Sequence, residues 1–120
     1  MKTHHDILAL LQQLIATPSF SKEESGTATL IEYFFERQRI PAQRSGNNIW
    51  VQNQFFDSDK PTILLNSHHD TVRPNAAYTR DPFQPEVVDG KLYGLGSNDA
   101  GGPLVALIAA FLHYYAAPDL

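Results

Sequence analysis

Two short polar segments hold the side chains best suited to chemistry. Asn66-Ser67-His68-His69-Asp70-Thr71-Val72 follows directly on the apolar run Thr62-Ile63-Leu64-Leu65. Tyr93-Gly94-Leu95-Gly96-Ser97-Asn98-Asp99-Ala100-Gly101-Gly102-Pro103 leads into a second apolar stretch. His68 and Asp70 stand two apart, so on extended backbone their side chains share one side. A neutral imidazole binds a metal ion while a neighbouring carboxylate fixes its ring and raises its basicity. His69 is expected to face the opposite way. The alternative for this triplet is a pair of loop histidines satisfied by backbone and water. Asp99 lies in a glycine-rich turn just before a helix start. There a carboxylate either caps the helix or is presented to a metal in the crevice that His68 faces. Ligands of open α/β sheets bind beyond the carboxyl ends of the strands, which is where the first segment falls.

Other chemistries are excluded by residue type. Cysteine is absent, so a metal site must be built from His, Asp and Glu, and thiolate nucleophiles and disulfides are ruled out. Gly94-x-Gly96 is no dinucleotide fingerprint, because Asp99 takes the place of the third glycine after a hairpin strand. Ser97 is not in a nucleophile elbow, since Leu95 stands where the first glycine belongs. His4 and His5 are expected in solvent near the terminus, and His113 to pack beside Tyr114 and Tyr115. Arg73 and Arg80 follow the first motif, either within reach of a substrate carboxylate or as solvated loop cations. Nine basic against thirteen acidic residues give a charge of −4, with no basic stripe for nucleic acid or anionic lipid.

Positioning these groups falls to a few short elements. Of the 120 residues, 42% are hydrophobic and 18% charged, a globular balance. Residues 4–16 carry Ile7, Leu8, Leu10, Leu11, Leu14 and Ile15 as a helical stripe, which Thr17-Pro18 stops. Ser21-Lys22-Glu23-Glu24 has the form of a capping box and predicts a helix from there to about Gln38, burying Leu30, Ile31, Phe34 and Phe35. A strand is expected over 48–53. Thr62 to Leu65, apolar without alternation, reads as a central strand covered on both faces. Val87 to Tyr93 reads as a hairpin about Asp89-Gly90. A final helix is predicted from Gly102 to Tyr115, with Pro103 in its first turn and Leu104, Leu107, Ile108, Phe111 and Leu112 on one face. Trp50 and the phenylalanines are expected in the core. The alternation implies a three-layer α/β sandwich with a mostly parallel sheet. The first residues lack a signal-peptide pattern, and no apolar run nears the roughly 20 residues of a membrane span; a cytoplasmic protein is the expectation.

The ordered pair His68-x-Asp70-x-Val72 and Asp89-Gly90-Lys91-Leu92-Tyr93-Gly94-x-Gly96-x-x-Asp99 resembles the M20 metallopeptidase/amidohydrolase family. Pro18-Ser19-Phe20-Ser21 with Glu24 matches that family's usual opening, so the resemblance covers essentially the whole chain. It implies a zinc-exopeptidase-like fold and a centre of two divalent ions, Zn2+ or Co2+. It makes His68 a ligand of one ion, Asp99 the bridge between both, and Asp70 the catalytic carboxylate that orients His68. It further implies a cis peptide after Asp99. Thr79-Arg80-Asp81-Pro82-Phe83 and Gly94-Leu95-Gly96 look most like the acetylornithine deacetylase branch; other branches usually carry Arg where Leu95 stands. The expected activity is therefore removal of an acyl group from acetylornithine or a close N-acyl ornithine, in arginine biosynthesis. Alternatives are another M20 member (dipeptidase, carboxypeptidase or succinyl-diaminopimelate desuccinylase) or a non-catalytic α/β module. Two positions depart from the family pattern: Gly101 stands where Lys is usual, and Ser67 where Gly precedes the histidine. The remaining ligands, the general-base glutamate and the dimerisation domain of a homodimeric parent do not occur in the sequence. Residues 1–120 are thus expected to be the N-terminal portion of the catalytic domain, inactive alone.

Overall fold

The computed structural model describes residues 2–120. Helix α1 (Lys2–Ala16) turns Leu10, Leu11, Leu14 and Ile15 inward, the three-and-four spacing of one helical face. Its end is made by Thr17, whose hydroxyl donates to the Gln13 carbonyl at 2.9 Å, and by Pro18, which has no N–H to continue the ladder. Helix α2 (Ser25–Arg37) buries Thr27, Ala28, Ile31, Phe34 and Phe35. It begins later than the expected capping box. Glu24 is the cap residue and makes no side-chain cap bond, because the chain first turns at Lys22 (φ 71) with the Glu23 N–H on the Phe20 carbonyl at 2.7 Å. Ser21 lines the cleft together with Asp70 instead.

Two antiparallel hairpins follow. Strands β1 (Gln43–Ser45) and β2 (Asn48–Trp50) pair with Arg44 opposite Ile49, so the strand expected over 48–53 ends at Trp50. Strands β3 (Glu86–Val88) and β4 (Lys91–Tyr93) pair with Val87 opposite Leu92. Asp89 (φ 51) and Gly90 (φ 75) make the turn between them, the doubly left-handed geometry that matches strand twist. Helix α3 (Gly102–Tyr114) carries Pro in its first turn and buries Val105 and Ile108. The faces of α1, α2 and α3 meet in one core, against which Ile49, Val51, Leu92, Leu104 and Phe111 pack from the sides.

The expected parallel sheet is not formed among the described residues. Its one parallel element is a single bridge between Phe20 and Thr71, with the Thr71 N–H on the Ser19 carbonyl at 2.7 Å. Thr62 to Leu65 is not a buried strand: Ile63 is 85% and Leu64 81% exposed. A strand exists only through ladder partners, and no described strand runs beside this segment. Nor is Trp50 core, since it stands exposed on a two-stranded ribbon, as Phe55 and Phe56 do in the following loop. The architecture is a small α/β arrangement of helices and short antiparallel pairs. No described helix is long and apolar enough to cross a membrane.

Leu10, 1% exposed, lies at the heart of this core. Leu10→Ala should cost about 2–5 kcal/mol, as expected for a leucine truncated inside a packed interior; chemical denaturation of the two forms measures it.

Candidate metal centre

Both site segments are pinned from behind. Residues 66–72 run extended, anchored by the Thr71 bond to Ser19 and by His69. That side chain faces away from His68, as expected, but it is not idle. Its Nε2–H donates to the Asn47 carbonyl at 2.8 Å, which leaves Nδ1 to accept from the Thr27 hydroxyl at 2.7 Å. Thr27 is 0% exposed, and its hydroxyl is shared between His69 and the Glu24 carbonyl at 3.1 Å, partners that water cannot replace. His69 thereby ties the site segment to α2 and to the β1–β2 turn. The alternation that points His68 and Asp70 outward already implied that His69 points inward; its two partners are tertiary and had no signal in the sequence.

Asp99 stands in the wide turn 97–101 between β4 and α3. Leu95 is buried there and donates its N–H to the Pro82 carbonyl at 2.7 Å, and the Gly101 N–H closes on the Gly96 carbonyl at 2.7 Å. Gly96 adopts φ 79 with the Thr71 methyl 2.6 Å from where a Cβ would stand, so both conformation and space require glycine. The Asp99–Ala100 peptide is cis, as the resemblance implied. Gly101 is equally confined: a Cβ there would lie 2.6 Å from the Gly96 oxygen and 2.7 Å from Leu11 Cδ1. A side chain at this position would require the Gly96 carbonyl to shift. Asp99 does not cap α3, whose start receives no side-chain bond.

The structure brings His68, Asp70 and Asp99 into one line. The Asp70 carboxylate lies 3.0 Å from His68 Nδ1, with the Asp70 carbonyl at 3.1 Å. The Asp99 carboxylate lies 3.1 Å from His68 Nε2. A neutral imidazole has one N–H and cannot donate to both carboxylates. The arrangement requires a positive charge on the ring or beside it, supplied by a second proton or by a metal ion at Nε2. Partial burial lowers the pKa of His68, but the Asp70 carbonyl and carboxylate and then Asp99 outweigh it and hold the pKa above the ordinary histidine value. For Asp70 burial works upward, and the Ser21 hydroxyl and His68 prevail, keeping its carboxyl below the usual range.

These donors fit a divalent ion in kind: an imidazole nitrogen oriented by one carboxylate, with a second carboxylate facing the same point. They do not fit in number. Zinc takes about four ligands, and no group of three or more His, Asp or Glu able to hold a metal occurs among the described residues. The three side chains open onto a cleft of about 850 Å³ that Arg80 also lines. Arg73 lies over the Phe20 ring at 4.6 Å and beside Glu23 at 3.6 Å, outside that lining. His4, His5 and His113 are exposed, the last with its ring edge-on to Tyr114.

Residues 64–119, which span both motifs, match the profile of Peptidase family M20/M25/M40. The chain belongs to peptidase family M20. It is 33% identical over 119 residues to a succinyl-diaminopimelate desuccinylase of Xanthomonas oryzae pv. oryzae (strain PXO99A), covering 94% of this chain and 31% of that protein. It is 30% identical over 118 residues to the enzyme of the same name from Xylella fastidiosa (strain M23), covering 93% and 30%. The Stenotrophomonas maltophilia (strain R551-3) enzyme of that name is 32% identical over 120 residues, covering 94% and 31%. The chain thus spans less than a third of the length of these M20 relatives.

Two measurements test the geometry. His69→Ala should destabilise the fold by about 1–3 kcal/mol, since it removes both bonds that tie this segment to the Thr27 hydroxyl and to the Asn47 carbonyl; denaturant midpoints read this directly. In the metal-free chain, the His68 ring should titrate above the ordinary histidine value, and Asp70→Asn should lower its midpoint. A raised folded-state pKa means the proton favours the fold: that stabilisation is present at acid pH and is lost as pH rises through the folded value. Ring-proton NMR against pH follows both forms.

Proposed function

We propose that these residues are the N-terminal part of the catalytic domain of a metal-dependent hydrolase that cleaves the amide of an N-acyl amino acid. The observation that carries this is the His68 imidazole set between the Asp70 and Asp99 carboxylates at the mouth of an open cleft. In this reading His68 Nε2 is a metal ligand, Asp99 is the carboxylate shared by two divalent ions (zinc or cobalt), and Asp70 is the positioning carboxylate. Bound ions of this kind supply Lewis acidity toward an acyl carbonyl and make water a nucleophile at neutral pH. Asp70 keeps a proton at Nδ1, so the Nε2 lone pair is the one offered to the cleft. The cleft receives the acyl chain and the amino acid. The carboxylate that passes a proton to the departing amine belongs to sequence outside these residues, as do the remaining ligands and the dimerisation domain of a homodimeric parent. Within the whole catalytic domain, 62–65 becomes an interior strand of a mostly parallel sheet between helical layers, which accounts for its unbroken apolarity.

The names of the relatives favour a succinyl group on a diamino acid such as diaminopimelate. A second reading, acetylornithine, rests on Thr79-Arg80-Asp81-Pro82-Phe83 and Gly94-Leu95-Gly96, and the relatives found do not support it. Crossing the two acyl groups with the two amines, in an assay of the complete protein for released amine, separates these choices. Chelation should abolish turnover, and zinc or cobalt should restore it. His68→Ala and Asp99→Ala should each lower kcat/KM by at least about 10²–10³-fold, and Asp70→Asn by about 10–100-fold. Turnover that survives chelation, or either alanine variant at full rate, overturns the proposal.

A further inference from the structure

Arg80 is the one lysine or arginine among the cleft-lining side chains, which otherwise include the carboxylates of Asp70, Asp81 and Asp99. Its guanidinium lies over an aromatic support. The Arg80 carbon Cζ stands 3.8 Å from the centroid of the Tyr93 ring, and Nη1 donates to Glu86 Oε2 at 2.6 Å. Tyr93 and Glu86 are cross-strand partners in the β3–β4 hairpin, so one ribbon meets both the guanidinium carbon and one of its nitrogens. Glu86 uses one of five N–H donors, and among the described residues no other hydrogen bond to Arg80 is formed. The loop from Arg80 to the hairpin is also held: Asp81 accepts from the Phe83 N–H at 2.9 Å, and Pro82 accepts from Leu95 in the segment that carries Asp99.

We infer that Arg80 is the carboxylate anchor of this cleft. It takes the carboxylate of an N-acyl amino acid through Nε and Nη2 and so sets the amide against His68 and Asp99. The inference rests on the hydrolase reading above and names the substrate group that reading leaves unplaced. A guanidinium matches a carboxylate with two parallel bonds, which an ammonium cannot do. Stacking on Tyr93 restricts the side chain before substrate arrives, reducing the ordering that binding must impose. The Glu86 pair does not compete strongly, because both partners are about half exposed and exposed ion pairs contribute little. Arg73 has the same kind of aromatic support on Phe20 but does not line the cleft, which decides between the two arginines.

The test is a cycle between Arg80 and the carboxylate, run in the complete enzyme with its best N-acyl amino acid and the carboxamide analogue of that acid. Arg80→Ala should lower kcat/KM for the acid by about 10–100-fold, mostly through KM, the scale of a charged hydrogen bond. The carboxamide should change by less than about threefold, and Arg80→Lys should recover part of the loss on the acid. Arg80→Gln repeats the measurement if Arg80→Ala lowers the melting temperature. Equal losses on acid and amide would leave the hydrolase reading standing and overturn the anchor alone. A wild-type enzyme that cleaves neither compound would overturn both.

Discussion

An imidazole that meets a carboxylate at each nitrogen must have positive charge between them, as a proton or as a metal ion, and the rest of this chain serves to bring those three groups to one point. His68 and Asp70 come from a single extended segment, which makes their pairing a local event. Asp99 arrives 31 positions later, after a loop, a hairpin and a wide turn. Its approach therefore depends on how well α3 and the turn before it are seated.

That seating comes from the core. The Gly96 carbonyl, with Leu11 of α1 beside it, leaves little room for a side chain at Gly101, and Gly96 in turn meets the methyl of Thr71. The two motif segments are thus locked to one another through glycine contacts rather than through the charged groups themselves. On the far side, His69 links the first segment to the buried Thr27 of α2 and to the β1–β2 turn. Hydrophobic burial of three helices supplies the stability, and a few directional bonds convert it into position.

The Arg80 side of the cleft follows similar logic. The β3–β4 hairpin owes its turn to two left-handed residues, and it presents Glu86 and Tyr93 side by side. Those partners give Arg80 a fixed place next to three carboxylates. Positive charge held by a ribbon and negative charge held by a helix-leading turn face one volume.

Much of this was determined by the sequence alone, because it depends on short-range spacing. The apolar stripes of α1, α2 and α3, the Asp89-Gly90 turn and the shared side of His68 and Asp70 are all consequences of residue period and backbone preference. The ordered pair of motifs carried the family as well. Other features were decided only by tertiary structure. The continuous apolarity of 62–65 implied burial, yet burial requires neighbours, and the described residues provide none. Ser21 had the right spacing for a capping box, but the chain turns at Lys22 (φ 71) and the helix starts only after Glu24. The ties of His69, the closed space at Gly101 and the stacking of Arg80 join residues far apart in the chain, and local pattern has no information about which distant groups will meet.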